Sequence, residues 1–211
     1  MTDNEAIPAA TLVVLRDQAD GPPDLLMVER PQAMAFAGGA MVFPGGRIDP
    51  GDWAGVGDLA AAAARAAVRE TAEETGLEVP LATLVPFARW RPDNVSHRRF
   101  DTFFFIAPAP LGAGPLCPQP GECERALWIG ARAMLEEIAA ERAKAIFPTI
   151  RNLERLAQFG SFAEAREHAN AHAVEVISPW IEEREGTRFL TIPGHLGYPV
   201  TTERLDRALR A

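Results

Sequence analysis

No stretch of this sequence approaches the ~20 consecutive apolar residues that a membrane-spanning helix requires. The N-terminus, MTDNEAIPAA, is acidic and has no apolar run of the secretory kind. Basic excess is also missing: the formal net charge is −8 and the pI about 5.1. That speaks against nucleic acid or an anionic membrane as a partner, since both want a basic face. A small anionic substrate stays open, because a bound cation can reverse the local sign. Only two cysteines occur, Cys117 and Cys123, in a Pro- and Gly-rich loop without a second Cys or His pair at zinc-site spacing. They read as free thiols of a cytoplasmic protein. Neither G-x-x-x-x-G-K-[ST] nor a helix-opening G-x-G-x-x-G is present, which removes the common phosphate-loop and dinucleotide folds. No internal repeat or low-complexity linker divides the chain.

What is present is an ordinary globular composition, 47% hydrophobic and 24% charged over 211 residues. Residues 10–17 and 24–30 are rich in Val, Leu and Met and are separated by Gly-Pro-Pro, so two strands and a turn are predicted. Residues 40–43 form a short third strand ending at Pro44-Gly45-Gly46. Residues 84–92 and 99–107 read as two more, joined by a polar turn at 93–97; the second is the most aromatic segment and so central. A last strand covers 124–130. Helices are predicted over 58–75, 131–144, 147–159 and from Ser161 to 171, the last with Glu164 three residues after its Ser cap. The fold class is α/β or α+β. A core at 1–140 carries a mainly helical C-terminal extension, 141–211, packed against it as part of one structural unit.

The informative helix is the one over 58–75. Alanine dominates its first half, Asp58 can cap it, and Gly76 can stop it. Its end reads RETAEETG, with Glu70, Glu73 and Glu74 inside an arc of about 100° and Arg69 at its edge. Like charges so clustered destabilise a helix by a few tenths of a kcal/mol per pair. By itself such a face is an ordinary solvated one, but here it follows a strand, a Gly-Gly turn and the loop RIDPGDWAGVG.

With that loop, the segment resembles the signature of the Nudix hydrolases, G-x5-E-x7-R-E-U-x-E-E-x-G-U, U being bulky and apolar. Arg69, Glu70, Glu73, Glu74, Gly76 and Leu77 match its second half, and Thr71 departs at one U position. The first half is stretched: Gly46 and Arg69 lie twenty-three positions apart where the pattern has fourteen. The first acid then falls on Asp52 counted from Gly46, or on Ala61 counted back from Arg69; Asp52 keeps the loop's texture and places the insertion in WAGVGDLAA. Residues 35–46, 98–107 and 147–159, with Gly-Tyr-Pro at 197–199, are similar to a branch of coenzyme A diphosphatase type.

The resemblance implies an α/β/α sandwich around a mixed sheet and hydrolysis of a nucleoside diphosphate linked to another moiety, by water attack on phosphorus. It implies Mg²⁺ or Mn²⁺ as cofactor, hard cations that take oxygen ligands. The implied ligands are Glu70, Glu73, Glu74 and the Gly46 carbonyl, with Arg69 orienting a glutamate. Glu122 or Glu124 supplies a further acid, Glu122 being the choice. A homodimer is also implied. Arg30, Arg89 and Arg99, at or near strand ends, are the candidate phosphate contacts. Trp90, Phe103 and Phe105 suit either a stacking or a core role. His168 and His172 are four apart on a helix, a spacing metals accept, but no acid motif accompanies them. A catalytically idle nucleotide-binding module of the same fold is the alternative that the displaced first acid allows.

Overall fold

The computed structural model describes residues 6–34, 37–92 and 99–208; the predicted turn at 93–97 lies outside them. The first strand, β1 (Ile7–Arg16), alternates its apolar side chains between two faces. Leu12 and Val14 pack with Ala63, Ala66 and Ala67 on one face, while Val13 and Leu15 join Met27, Phe104 and Ile106 on the other. A strand with both faces covered lies inside a layered sandwich. β2 (Asp24–Glu29) follows antiparallel, then β3 (Met41–Val42) and β4 (Gly45–Arg47). β4 pairs antiparallel with the start of β1, Ala10 opposite Gly46 and Thr11 opposite Gly45. This strand was predicted as a turn. Without side chains at Gly45 and Gly46 the sequence carries no strand signal there, and the pairing is made by backbone alone.

A 3-10 turn at Pro50–Trp53 leads to α1 (Leu59–Thr75). The Asp58 side chain accepts from the Ala61 amide at 2.8 Å, and Gly76 closes the helix in the left-handed region at φ 71°. Both ends agree with the sequence reading. The buried residues of α1 are Ala62, Ala63, Ala66 and Ala67 along the first half, so the helix lies close on the sheet there, and Thr71, Glu74 and Thr75 toward its end.

β5 (Val85–Trp90), β6 (Phe100–Pro108) and β7 (Arg125–Gly130) complete the core strands. β6 runs parallel to β1 along nine residue pairs from Ile7–Phe100 to Leu15–Pro108, which makes it central as expected. α2 (Ala131–Ala139), α3 (Phe147–Leu156) and α4 (Phe162–Ala171) come next. Ser161 caps α4 through the Glu164 amide at 3.2 Å. β8 (Val176–Ile177) then joins the main sheet, whose order is β3-β2-β1-β6-β5-β8 with β4 on β1 and β7 on β2. β9 (Trp180–Arg184), β10 (Thr187–Thr191) and β11 (Thr202–Arg204) form a separate three-stranded sheet, and α5 (Leu205–Ala208) ends the described chain. Residues 141–211 thus hold strands as well as helices. The core on the face away from α1 runs from β1, β2 and β6 into α3, α4, Leu196 and Tyr198. No described helix is long and apolar enough to cross a membrane.

Candidate active site

The end of α1 faces β4. Glu74 is buried, and its carboxylate accepts a hydrogen bond from the Gly45 amide at 3.1 Å. Glu70, one turn earlier, presses its carboxylate against Gly46, where a Cβ would overlap it. The bare backbone of β4 is what admits both acids. Glu73 points elsewhere, half-exposed, to Arg69. So α1 brings Glu70 and Glu74 together on the Gly45-Gly46 backbone and holds Glu73 at the rim.

Arg69 organises this rim. One terminal nitrogen donates to both Glu70 (3.0 Å) and Glu73 (2.9 Å). Its Nε and other terminal nitrogen grip Asp52 in a two-point pair, 3.1 and 2.9 Å, and reach the Arg47 carbonyl at 3.0 Å. Asp52, 5% exposed, also accepts from the Asp49 amide at 2.8 Å. Burial pushes the Asp52 carboxyl upward, but the bonds from Arg69 and Asp49 and the charges of Arg69 and Arg65 outweigh it, and its pKa ends below the usual value. Arg69 is raised in turn, chiefly by Asp52. The acid at the stretched loop is therefore a clamp on Arg69, and Arg69 spans loop and helix. The inserted residues are tied down separately, Arg65 donating to the Ala54 carbonyl.

The glutamates are short of positive charge. Burial pushes Glu74 up to about 8, helped by the charges of Glu70 and Glu122 and opposed by the Gly45 amide and Arg30. Burial raises Glu70 as well, against the pull of Arg69. Carboxylates driven toward their neutral form beside one another are what a hard divalent cation relieves, and the donor set, oxygens only, is the kind Mg²⁺ takes. As the side chains stand, no three Asp, Glu, His or Cys among the described residues converge on a point at ligand distance.

Glu122 sits exposed on a loop hooked to the end of α1. Cys117 and Gln119 amides donate to the Thr75 and Glu74 carbonyls at 2.8 and 3.2 Å, and the Cys123 thiol donates to Glu74 O at 3.1 Å. Glu124, equally exposed, has its amide on the Glu29 carbonyl at 2.8 Å. Both cysteines are free thiols.

Across β4 from the glutamates opens a cavity of about 860 Å³. Its wall is largely Phe43, Trp90, Phe100, Phe104, Met34 and Ile146, with Arg30 and Arg47 beside Gly45 and Gly46. Of the three arginines singled out in the sequence, Arg30 alone lines it. Arg89 is held by Asp101 in a two-point pair, 2.8 and 2.7 Å, and lies over the Phe103 ring. Arg99 gives its carbonyl to the Ile7 amide at 2.8 Å, next to Phe100 in the cavity wall. Phe103 and Phe105 pack in the core against α1, whereas Trp90 is both core and wall. His168 and His172 stack at 4.1 Å, and Arg155 Nε donates to His168 Nε2 at 3.2 Å, remote from any acid cluster. Sequence reasoning missed the share of the C-terminal part in the cavity, Ile146, Pro148 and Thr149; nothing local in Phe-Pro-Thr marks it.

The chain matches the model of the NUDIX domain over residues 6–150. It is similar in structure to a NUDIX hydrolase from Alicyclobacillus acidocaldarius, with 28% identity and a TM-score of 0.69 over 77% of this chain and 96% of that one. A more distant likeness is to the NUDIX domain of Shewanella oneidensis NrtR, complexed with ADP ribose, at 17% identity and a TM-score of 0.49 over 65% and 88% of the two chains. No curated protein matches.

Proposed function

The chain belongs to the NUDIX family and is a pyrophosphohydrolase of that fold, and from this premise we propose that it cleaves a nucleoside diphosphate linked to a second moiety with the help of Mg²⁺ or Mn²⁺. Glu70, Glu73, Glu74 and the Gly46 carbonyl would hold the cation. When bound, it neutralises the pyrophosphate and lowers the pKa of the attacking water.

The observation that carries this reading is the meeting of Glu70 and Glu74, both raised by burial, on the bare Gly45-Gly46 backbone whose other side lines a large cavity. Arg69 fixes the rotamers of Glu70 and Glu73 and is itself held by Asp52. That pairing gives the displaced first acid a task, and it takes away the feature that favoured an idle module. Arg30, between the cavity and Glu74, is placed to meet a phosphate oxygen on the cavity side. Glu122, whose charge is felt at Glu74, is our choice to take the proton of the water from its loop. The cavity's size suits a coenzyme A-like or dinucleotide leaving moiety better than a bare phosphate.

A phosphate-release assay with a coupled phosphatase tests this on coenzyme A, ADP-ribose and a dinucleoside polyphosphate, with Mg²⁺ and with EDTA. Turnover is expected on at least one of them in Mg²⁺ only, and Glu70→Gln should lower it about a hundredfold or more without loss of the folded state. Full activity in that variant would defeat the assignment of the glutamates.

A further inference from the structure

The reading above leaves the far wall of the cavity unused, and that wall is unusual for an apolar one. α3 starts there. Its N-terminus has no side-chain cap, and Pro148 within the first turn brings no N–H. The first amides of a helix have no intrahelical acceptor, and together with the helix dipole they form an anion-attracting end. A second observation comes from a different atom. Thr149 is 3% exposed, lines the cavity, and its hydroxyl makes no hydrogen bond within the described protein. The buried threonines of α1, Thr71 and Thr75, give theirs to carbonyls one turn back, at 2.7 and 2.6 Å; Thr149 does not. A third is Arg30 Nε, buried without a partner in a side chain that lines the same cavity. A buried donor such as Arg30 Nε, left unmet, costs about 1–3 kcal/mol unless a ligand or water answers it. No described acidic side chain lines the cavity; Glu70 and Glu74 lie behind the Gly45-Gly46 backbone.

We infer that the start of α3, through Thr149 and the free amides of its first turn, is a subsite for a second anionic group of the substrate, a carboxylate or a phosphate carried by an otherwise apolar moiety. The inference rests on the pyrophosphate lying at the glutamates. The Met41 amide donates to the Lys144 carbonyl at 2.7 Å, which ties the approach to α3 onto β3, just ahead of β4 and its Gly45-Gly46 backbone. The substrate then straddles that strand: its pyrophosphate faces α1, its apolar body lies along Phe43, Phe100 and Phe104, and its second anion meets Thr149. The specificity of the catalytic core would in this way be set by a helix that follows it in sequence.

Isothermal titration calorimetry on the full chain tests the subsite with three probes: phenylbutanol, phenylbutyrate and phenylbutyl phosphate, one apolar body with a neutral or an anionic end. EDTA in the buffer prevents a cation at the glutamates from capturing the anion. One or both anionic probes should bind about tenfold tighter than the alcohol, the tighter one identifying carboxylate or phosphate. Thr149→Val should cut that preference to about threefold with the alcohol unchanged, and Thr149→Ser should restore it. Equal binding of alcohol and anions, no binding of either anion, or a preference untouched by Thr149→Val overturns the subsite. Failure of the same preparation to hydrolyse any pyrophosphate would count against the catalytic reading instead, and the isotherms would stand apart from it.

Discussion

At Glu74 one side chain ties folding, pH and cation binding together. In the unfolded chain its carboxyl titrates near 4.5; folded and without a cation it is raised to about 8 by burial. A raised folded pKa means that its stabilising contribution is full below about 4.5 and is lost as pH rises through about 8. In EDTA the melting temperature should therefore fall between pH 5 and 8, and Glu74→Gln, an uncharged shape match, should flatten that fall. Saturating Mg²⁺ should remove most of it in the wild-type chain, because the cation takes the place of the proton. For the same reason the apparent Mg²⁺ affinity should climb by up to tenfold per pH unit below about 8 and level off above. Differential scanning fluorimetry over a pH series, with Mg²⁺ and with EDTA, reads both. A wild-type melting temperature that rises over that interval in EDTA would show that Glu74 is not the buried acid it is here.

At the scale of elements, the site depends on a strand made of almost nothing. β4 offers two glycines, and the end of α1 closes on them. Gly46→Ala would place a methyl group inside the Glu70 carboxylate, although the backbone angle at Gly46 itself suits any residue. The strain is steric, and Glu70 must swing out. Turnover should fall about a hundredfold, close to the effect of Glu70→Gln, while the melting temperature in EDTA drops by only a few degrees. Kinetics and melting curves of the two variants side by side decide it; an active Gly46→Ala would mean that Glu70 is free to move. These elements also show where sequence reading succeeds. α1 was legible because its signals are local: an alanine run, Asp58 before it, Gly76 after it. β6 was legible from its aromatic content, Phe100 and Phe103 to Phe105. β4 was not, since it exists through pairing with β1, whose partner residues lie thirty-four to thirty-eight positions earlier. Arg89 looked like a phosphate ligand because nothing near it in sequence shows that Asp101, on the adjacent strand, will take two of its nitrogens. Thr149 was invisible for the same reason: its unmet hydroxyl is a property of the cavity.

Over the whole molecule, the C-terminal part is joined to the cavity by a buried chain of hydrogen bonds. Trp90 Nε1 donates to the Tyr198 hydroxyl at 3.1 Å, and that hydroxyl donates to Asn152 Oδ1 at 2.8 Å. Trp90 is a wall of the cavity, Asn152 lies on α3 one turn beyond Thr149, and Tyr198 belongs to Gly-Tyr-Pro near the end of the chain. All three are at most 5% exposed. One hydroxyl, more than a hundred residues after Trp90 in sequence, thus fixes the β5 wall and the α3 wall relative to each other, with Arg155 stacked on the Tyr198 ring at 5.0 Å as a further tie. Tyr198→Phe removes that hydroxyl and nothing else. It leaves a buried indole N–H and a buried amide oxygen without partners, a loss of about 1–3 kcal/mol each way. If the chain serves stability alone, melting temperature falls and the kinetic constants do not move. If it also sets the distance between the two walls, KM rises severalfold while kcat changes less than twofold, since the glutamates lie across β4 and keep their own ties to Arg69 and Gly45. The geometry argues for the second outcome. Steady-state kinetics at a temperature where the variant is fully folded distinguishes the two, and an unchanged KM would confine Tyr198 to holding the fold together.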